Sequence, residues 1–243
     1  LGALEANPSK KHILTTQVEH EAVRKLFQKL ENQGYRVTWL GVDGEGSVDL
    51  GELSESISED TAVVSVMMAN NETGVLFPVG EIAEIIKSRS KALFHVDGVN
   101  AAGKVPIDLK NTQVDLFSIS AHKFYGPKGI GALYIRQGVE LPSMSIGGGQ
   151  ESGRRAGTEA VHQIAGLGAA AKFVSDLSVM EDVAKLRDAL EKGILESISN
   201  TSIHGTLDPS KRLPNTTNIS FENVNGEMIM SRLDDAGICV STG

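Results

Sequence analysis

Between His12 and Ile135 the chain switches repeatedly between two hydrophobic periods, and few folds accept that alternation. Thr61-Ala-Val-Val-Ser-Val-Met-Met68 is a continuous apolar run, the pattern of a strand covered on both faces of a parallel sheet. His12–Gln17, Tyr35–Leu40, Ala92–Val96, Val114–Ile119 and Ile130–Ile135 read as further strands. Val23, Leu26, Phe27 and Leu30 fall at helical spacing and Gly34 closes that segment. Val79, Ile82, Ile85 and Ile86 mark a second helix, and Leu50–Ile57 a short one. The alternation predicts an α/β fold with a mostly parallel central sheet flanked by helices. After residue 175 the pattern changes. Ser178-Val-Met-Glu181 reads as a capping box opening a long helix through Val183, Leu186, Leu190 and Ile194. A strand over Thr216–Phe221 and a helix over Gly226–Ala236 follow. Two units are expected: a large one over 1–175 and part of a smaller α+β one over 176–243.

Composition narrows the function. Of 243 residues, 40% are hydrophobic and 22% charged, enough apolar material for a sizeable core without staples. The net charge of −8, with no basic run, makes nucleic acid and anionic membranes poor partners. One cysteine, Cys239, forms neither an internal disulfide nor a cysteine-based zinc site, and it reads as a small buried hydrophobe in a strand. No apolar run approaches the roughly 18 residues of a membrane span, and a cytoplasmic setting is expected. The opening Leu-Gly-Ala-Leu-Glu-Ala reads as the last turns of a helix, and Ile238–Gly243 as a strand entering a loop, so both ends are read as cut.

Gly98-Val-Asn-Ala-Ala-Gly-Lys104 has the spacing of a phosphate-binding loop, but Val105 stands where Ser or Thr is needed. More telling is the set of polar residues where strands give way to loops: His20, Asn70, Asn71, Asp97, Asn100, Ser120, His122 and Lys123. Ligands of open α/β sheets bind at that edge. Singly, each residue has a plainer role: His20 a helix start, Asn71 a turn residue, Asp97 a cap, Lys123 a solvated lysine. Together they fit pyridoxal 5'-phosphate (PLP). Its aldehyde needs a lysine amine, for which Lys123 stands, and its pyridine nitrogen a carboxylate, for which Asp97 stands. His20 is suited to stack on the ring, Asn71 to bond the ring hydroxyl, and Ser120 and His122 to donate to the phosphate.

Five segments in order carry a resemblance: His12-Ile-Leu-Thr-Thr-Gln-Val-Glu-His20, Ala69-Asn-Asn-Glu-Thr-Gly74, His95-Val-Asp97, Ser120-Ala-His-Lys-Phe-Tyr-Gly-Pro-Lys-Gly-Ile-Gly-Ala-Leu-Tyr134 and Gly147-Gly-Gly-Gln-Glu-Ser-Gly-Arg-Arg-Ala-Gly-Thr158. The chain resembles the cysteine desulfurases of the NifS/IscS type, PLP enzymes of fold type I in the class V aminotransferase family. The resemblance implies Lys123 as the amine that holds PLP and moves the substrate's proton, with His20 assisting. It implies that Asp97 pairs with the pyridinium, Asn71 with the ring hydroxyl, and Ser120 and His122 with the phosphate. Thr158 would reach the phosphate in the other subunit of a homodimer, with Arg155 supporting that interface. The implied reaction takes sulfur from L-cysteine, leaving alanine and a persulfide destined for iron–sulfur scaffolds or other sulfur acceptors. Selenocysteine lyase is the nearest alternative, and a non-catalytic remnant or scaffold the more distant one.

Two departures stand out. Asn100 replaces the glutamine that members usually carry three residues after the Asp, and its shorter amide is the expected cofactor-binding group toward the ring hydroxyl. The nucleophilic cysteine of the family is expected beyond Gly243, so this 243-residue chain is expected to be inactive in full turnover.

Overall fold

The computed structural model describes residues 1–242. In chain order the elements are α1 (Gly2–Glu5), β1 (His12–Thr16), α2 (Glu21–Asn32), β2 (Arg36–Leu40), α3 (Leu50–Ser56), β3 (Thr61–Met67), α4 (Val79–Arg89), β4 (Leu93–Asp97) and β5 (Leu116–Ser120). There follow β6 (Gly131–Ile135), α5 (Gln150–Gly153), α6 (Val161–Phe173), α7 (Val179–Ser197), β7 (Thr201–Ile203), β8 (Ile219–Phe221) and α8 (Gly226–Asp235). The central sheet has the order β2-β1-β3-β4-β5-β6. Its first five strands are parallel and β6 returns antiparallel to β5. The predicted mostly parallel α/β sheet is therefore the one observed.

Strand alternation divides the core between two faces. Leu14, Val64, Val66, Phe94 and Val96 pack with Leu53 of α3 and Ile82 and Ile86 of α4. Ile13, Val63 and Leu116 pack with Phe27 and Leu30 of α2 and with Leu4 of α1. All seven residues of β3 are buried, which is why its sequence reads as unbroken apolar. β7 and β8 form a separate antiparallel pair. The segment around Arg212 anchors to the sheet's loops. The Leu76 N–H donates to the Lys211 carbonyl at 2.8 Å, and the Leu213 N–H to the Gly74 carbonyl at 2.8 Å.

Four local expectations differ from the structure. The Ser178 side chain makes no cap bond: its backbone is already helical at φ −57°, and its N–H donates instead to Asp176 Oδ1 at 2.9 Å. α6 escapes prediction because its apolar and small residues run around the whole helix and leave no stripe. Residues 238–242 form no strand; the Ile238 N–H turns back to the Leu233 carbonyl at 2.8 Å to close α8. With no strand to bury it, Cys239 is exposed, not the buried residue expected. Gly243, in the loop that this strand was expected to enter, lies outside the described residues.

Candidate functional site

The C-terminal ends of β1, β3, β4 and β5 lie side by side in the sheet, and the polar residues that follow them meet there. His20 caps α2, accepting the Ala22 N–H through Nδ1 at 3.2 Å, and it is exposed. Asp97 ends β4, half-buried, and its Oδ1 accepts the Val99 N–H at 2.9 Å. The chain turns sharply after it. A Cβ on Gly98 would lie 1.9 Å from the Phe117 ring, so only glycine lets β4 leave the sheet beside β5.

Lys123 and His122 stand exposed on a single 3-10 turn, Ala121–Phe124, immediately after Ser120 at the end of β5. Tyr125 closes that turn in the left-handed region at φ 66°, and its N–H caps the Ala121 carbonyl. A non-glycine residue in this conformation costs on the order of 1 kcal/mol and persists only where the surroundings enforce it. The buried anchors Ala121 and Phe124 supply that enforcement, so the lysine projects from a rigid platform.

The loop after β3 separates two neighbouring asparagines by role. Asn70 is buried, and its Oδ1 accepts the N–H groups of Glu72 and Thr73, each at 2.9 Å. Its Nδ2 donates to the Val18 carbonyl at 3.2 Å. Asn70 therefore shapes the loop, while Asn71 is half-exposed and donates to Glu72 Oε1 at 2.5 Å. The Asn100 amide is engaged on both sides. Nδ2 donates to the Asn70 carbonyl at 3.2 Å, and Oδ1 accepts from Lys104 Nζ at 3.0 Å. A ring hydroxyl can reach Asn100 Oδ1 only by competing with Lys104. Thr158 lies exposed in the loop before α6.

Three residues that the sequence reading passed over belong to this edge. Glu19, adjacent to His20, is 5% exposed, and burial pushes its carboxyl up to about 8. His95 lies one pleat below Asp97 on the same face of β4. It bridges Ser65 Oγ and Ser118 Oγ, each at 2.8 Å, and burial holds it neutral down to about pH 4. Lys104 is lowered to about 8, first by burial and then by the charge of Lys123. The signals were present: a charged residue next to His20, a histidine inside a strand, and the lysine of the dismissed phosphate loop.

The donor set fits PLP in its chemistry. An exposed primary amine on a rigid turn, a half-buried carboxylate, an imidazole, and a hydroxyl beside a second imidazole occupy one sheet edge. A class of protein follows: an α/β sheet presenting amine, carboxylate and imidazole at its strand ends.

Comparison with known proteins narrows the class. Residues 2–243 match the Aminotransferase class-V family, and the chain belongs to that family. It is 49% identical over 243 residues to a cysteine desulfurase of Trichormus azollae, covering 99% of this chain and 60% of that protein. It is 46% identical over 245 residues to the cysteine desulfurase NifS of Azotobacter vinelandii, covering 100% of this chain and 60% of that protein. Among solved structures, a NifS-like protein superimposes with a TM-score of 0.95 at 40% identity, over 100% of this chain and 66% of that one. A NifS-like protein from Rickettsia africae gives 0.88 at 34% identity, over 100% and 67%. The chain thus spans 60% of the length of these two curated relatives. Among the described residues, no helix is long and apolar enough to cross a membrane.

Proposed function

We propose that the chain is the cofactor-holding part of a PLP-dependent cysteine desulfurase. The observation that carries the reading is the arrangement of Lys123, Asp97, His20, Ser120 and His122 at adjoining strand ends, on a fold shared with NifS-like proteins. PLP, once bound, supplies the electron sink that lets the substrate's α-carbon lose a proton.

The residues divide the work by chemistry. Lys123 Nζ holds the cofactor covalently and is the group that carries the substrate's proton. Its turn is anchored by buried residues, so the backbone that carries the amine keeps one position. Asp97 would pair with the ring nitrogen and keep it cationic, an ion pair that partial burial would strengthen. His20, held at Nδ1 by the Ala22 N–H, would stack on the ring and assist proton transfer. Ser120 and His122 take the phosphate, with Thr158 reaching it from the second subunit of a homodimer. Asn71 would bond the ring hydroxyl, and Asn100, held by the Asn70 carbonyl and Lys104, is the second amide on that side. The substrate of this reading is L-cysteine, the products alanine and a persulfide passed to a sulfur-acceptor protein, and the setting cytoplasmic. Residues 176–243 would belong to a second, smaller domain. The chain's single thiol, the exposed Cys239, is not the persulfide carrier of this reading, so the 243 residues alone release little sulfide from cysteine.

The test is direct. The purified chain is incubated with PLP, reduced with borohydride, and mapped by mass spectrometry. A PLP adduct on Lys123 that disappears in Lys123→Ala supports the reading; a folded chain with no adduct there overturns it.

A further inference from the structure

Beyond the residues that touch the cofactor in that reading, the same edge holds a buried carboxyl group with unusual company. Glu19 Oε1 accepts the Thr16 hydroxyl at 2.8 Å and the Met67 N–H at 2.9 Å. Glu19 Oε2 is buried and has no hydrogen-bond partner. The position is informative. In the β1–β3 ladder the last paired residues are Thr15 and Ser65, so the Met67 N–H lies past its end, and the Glu19 side chain takes that donor instead. Met67 in turn sits directly opposite Asp97 in the β3–β4 register. Glu19 takes the Met67 N–H on the β1 side of β3 and Asp97 lies on its β4 side, so one strand separates two carboxyl groups at the same end of the sheet.

We propose that Glu19 is a positioning residue for Asp97: enclosed at the same end of the sheet, Glu19 stays uncharged and leaves the field there to the Asp97 carboxylate. The physical reason is unequal solvation. Asp97 is half-buried and accepts a backbone N–H, whereas Glu19 is enclosed with one oxygen unsatisfied. A carboxyl group keeps its proton where its anion is poorly solvated. A neutral Glu19 leaves Asp97 as the single anion facing the ring nitrogen, and its Oε2 then carries a hydrogen. Around Glu19 stand Thr16 of β1, Met67 of β3, Asp97 of β4, and His20 and Glu21 at the start of α2. Glu21 points to solvent and pairs with Lys25 at 2.7 Å. Asp97 supplies the charge that bears on Glu19, in the same direction as burial.

The role assigned to Asp97 rests on the proposed function, whereas the coupling of the two carboxyl groups does not. The test therefore runs first on the cofactor-free chain, labelled with 13C at the glutamate side-chain carboxyl. The resonance lost in Glu19→Gln belongs to Glu19, and its midpoint is followed by NMR in the wild type and in Asp97→Asn. The expected midpoint lies well above the ordinary carboxylate range and falls by at least about half a pH unit in Asp97→Asn. A midpoint in the ordinary range, or one unmoved by Asp97→Asn, overturns the proposal. Should Glu19→Gln not fold, thermal midpoints read the same coupling. Wild-type stability falls between about pH 4.5 and 8, where the unfolded Glu19 carboxyl has given up its proton and the folded one still holds it, and this fall is smaller in Asp97→Asn; parallel falls overturn the proposal. PLP labelling of Lys123 is scored separately. A shifted midpoint without label supports the coupling against the cofactor reading, and label with an unmoved midpoint does the reverse.

Discussion

The two edges of the central sheet treat their polar groups in opposite ways. At the edge where the parallel strands begin, buried charged and imidazole groups are matched, and the Thr112 hydroxyl is the buried group there without a partner. His12, fully enclosed, places its ring nitrogens against Thr61 Oγ1 at 2.8 Å and Thr38 Oγ1 at 2.9 Å. Asp115, just before β5, takes the Phe94 N–H at 2.7 Å and pairs with Lys87. The Arg136 guanidinium caps the carbonyls of Leu109, Thr112 and Val114. At the edge where those strands end, Glu19 keeps a buried oxygen without a partner, and Lys123 and His122 stand open to solvent. Buried polar groups left unmatched cost stability and persist where something else selects them. Stability is concentrated at one edge and chemistry at the other. That separation is what makes substitutions informative.

The largest effect is expected at the matched edge. Asp115→Ala removes an acceptor used by both the Phe94 amide and the Lys87 ammonium and leaves both without it. A loss of about 3 kcal/mol is expected, the usual cost of stranding half of a buried pair. Urea unfolding measures it. In a folded preparation of the variant, PLP labelling of Lys123 is expected to persist. Loss of labelling without loss of stability would erase the contrast between the edges.

His12→Leu is expected to cost about 2 kcal/mol at pH 7, because two threonine hydroxyls lose their imidazole partner. Its pH dependence sharpens the comparison. Burial, then Arg36, depresses His12 to about 4, and burial likewise depresses His95. The unfolded imidazoles take up protons below about pH 6.5, while the folded ones resist until about 4. Both histidines therefore contribute stability above pH 6.5 that is lost as the pH falls toward 4. The variant lacks one of the two contributions, so its deficit against wild type narrows between pH 7 and pH 5. Unfolding curves at the two values check this.

The contrast was only half legible in the sequence. The alternation of runs such as Thr61–Met67 with the Val23–Leu30 stripe is a local property of side-chain spacing, and it predicted the sheet and its flanking helices. The strand-end residues were also legible, because Ser120, Lys123 and Asp97 each follow an apolar run. What a strand neighbour supplies was not. Glu19 acquires its character from Met67 and Asp97, 48 and 78 residues away, through register that no local pattern records. Cys239 shows the same limit from the other side: an apolar flank suggested burial, but burial requires a packing partner. α6, without a stripe, carried no period to read.

The smallest expected effect on stability belongs to the residue with the largest expected effect on chemistry. Lys123 is exposed on a turn held by Ala121 and Phe124, and neither anchor depends on the lysine side chain. Lys123→Ala is therefore expected to change unfolding free energy by no more than about 0.5 kcal/mol. Its charge also bears on Lys104, lowering that ammonium after burial does. Removing Lys123 is expected to let Lys104 hold its proton to higher pH, tightening its hold on Asn100. NMR of the Lys104 side chain against pH reads that shift in the cofactor-free chain. An unchanged Lys104 titration would mean that the two lysines do not share a field, and the open edge would then be a set of independent groups.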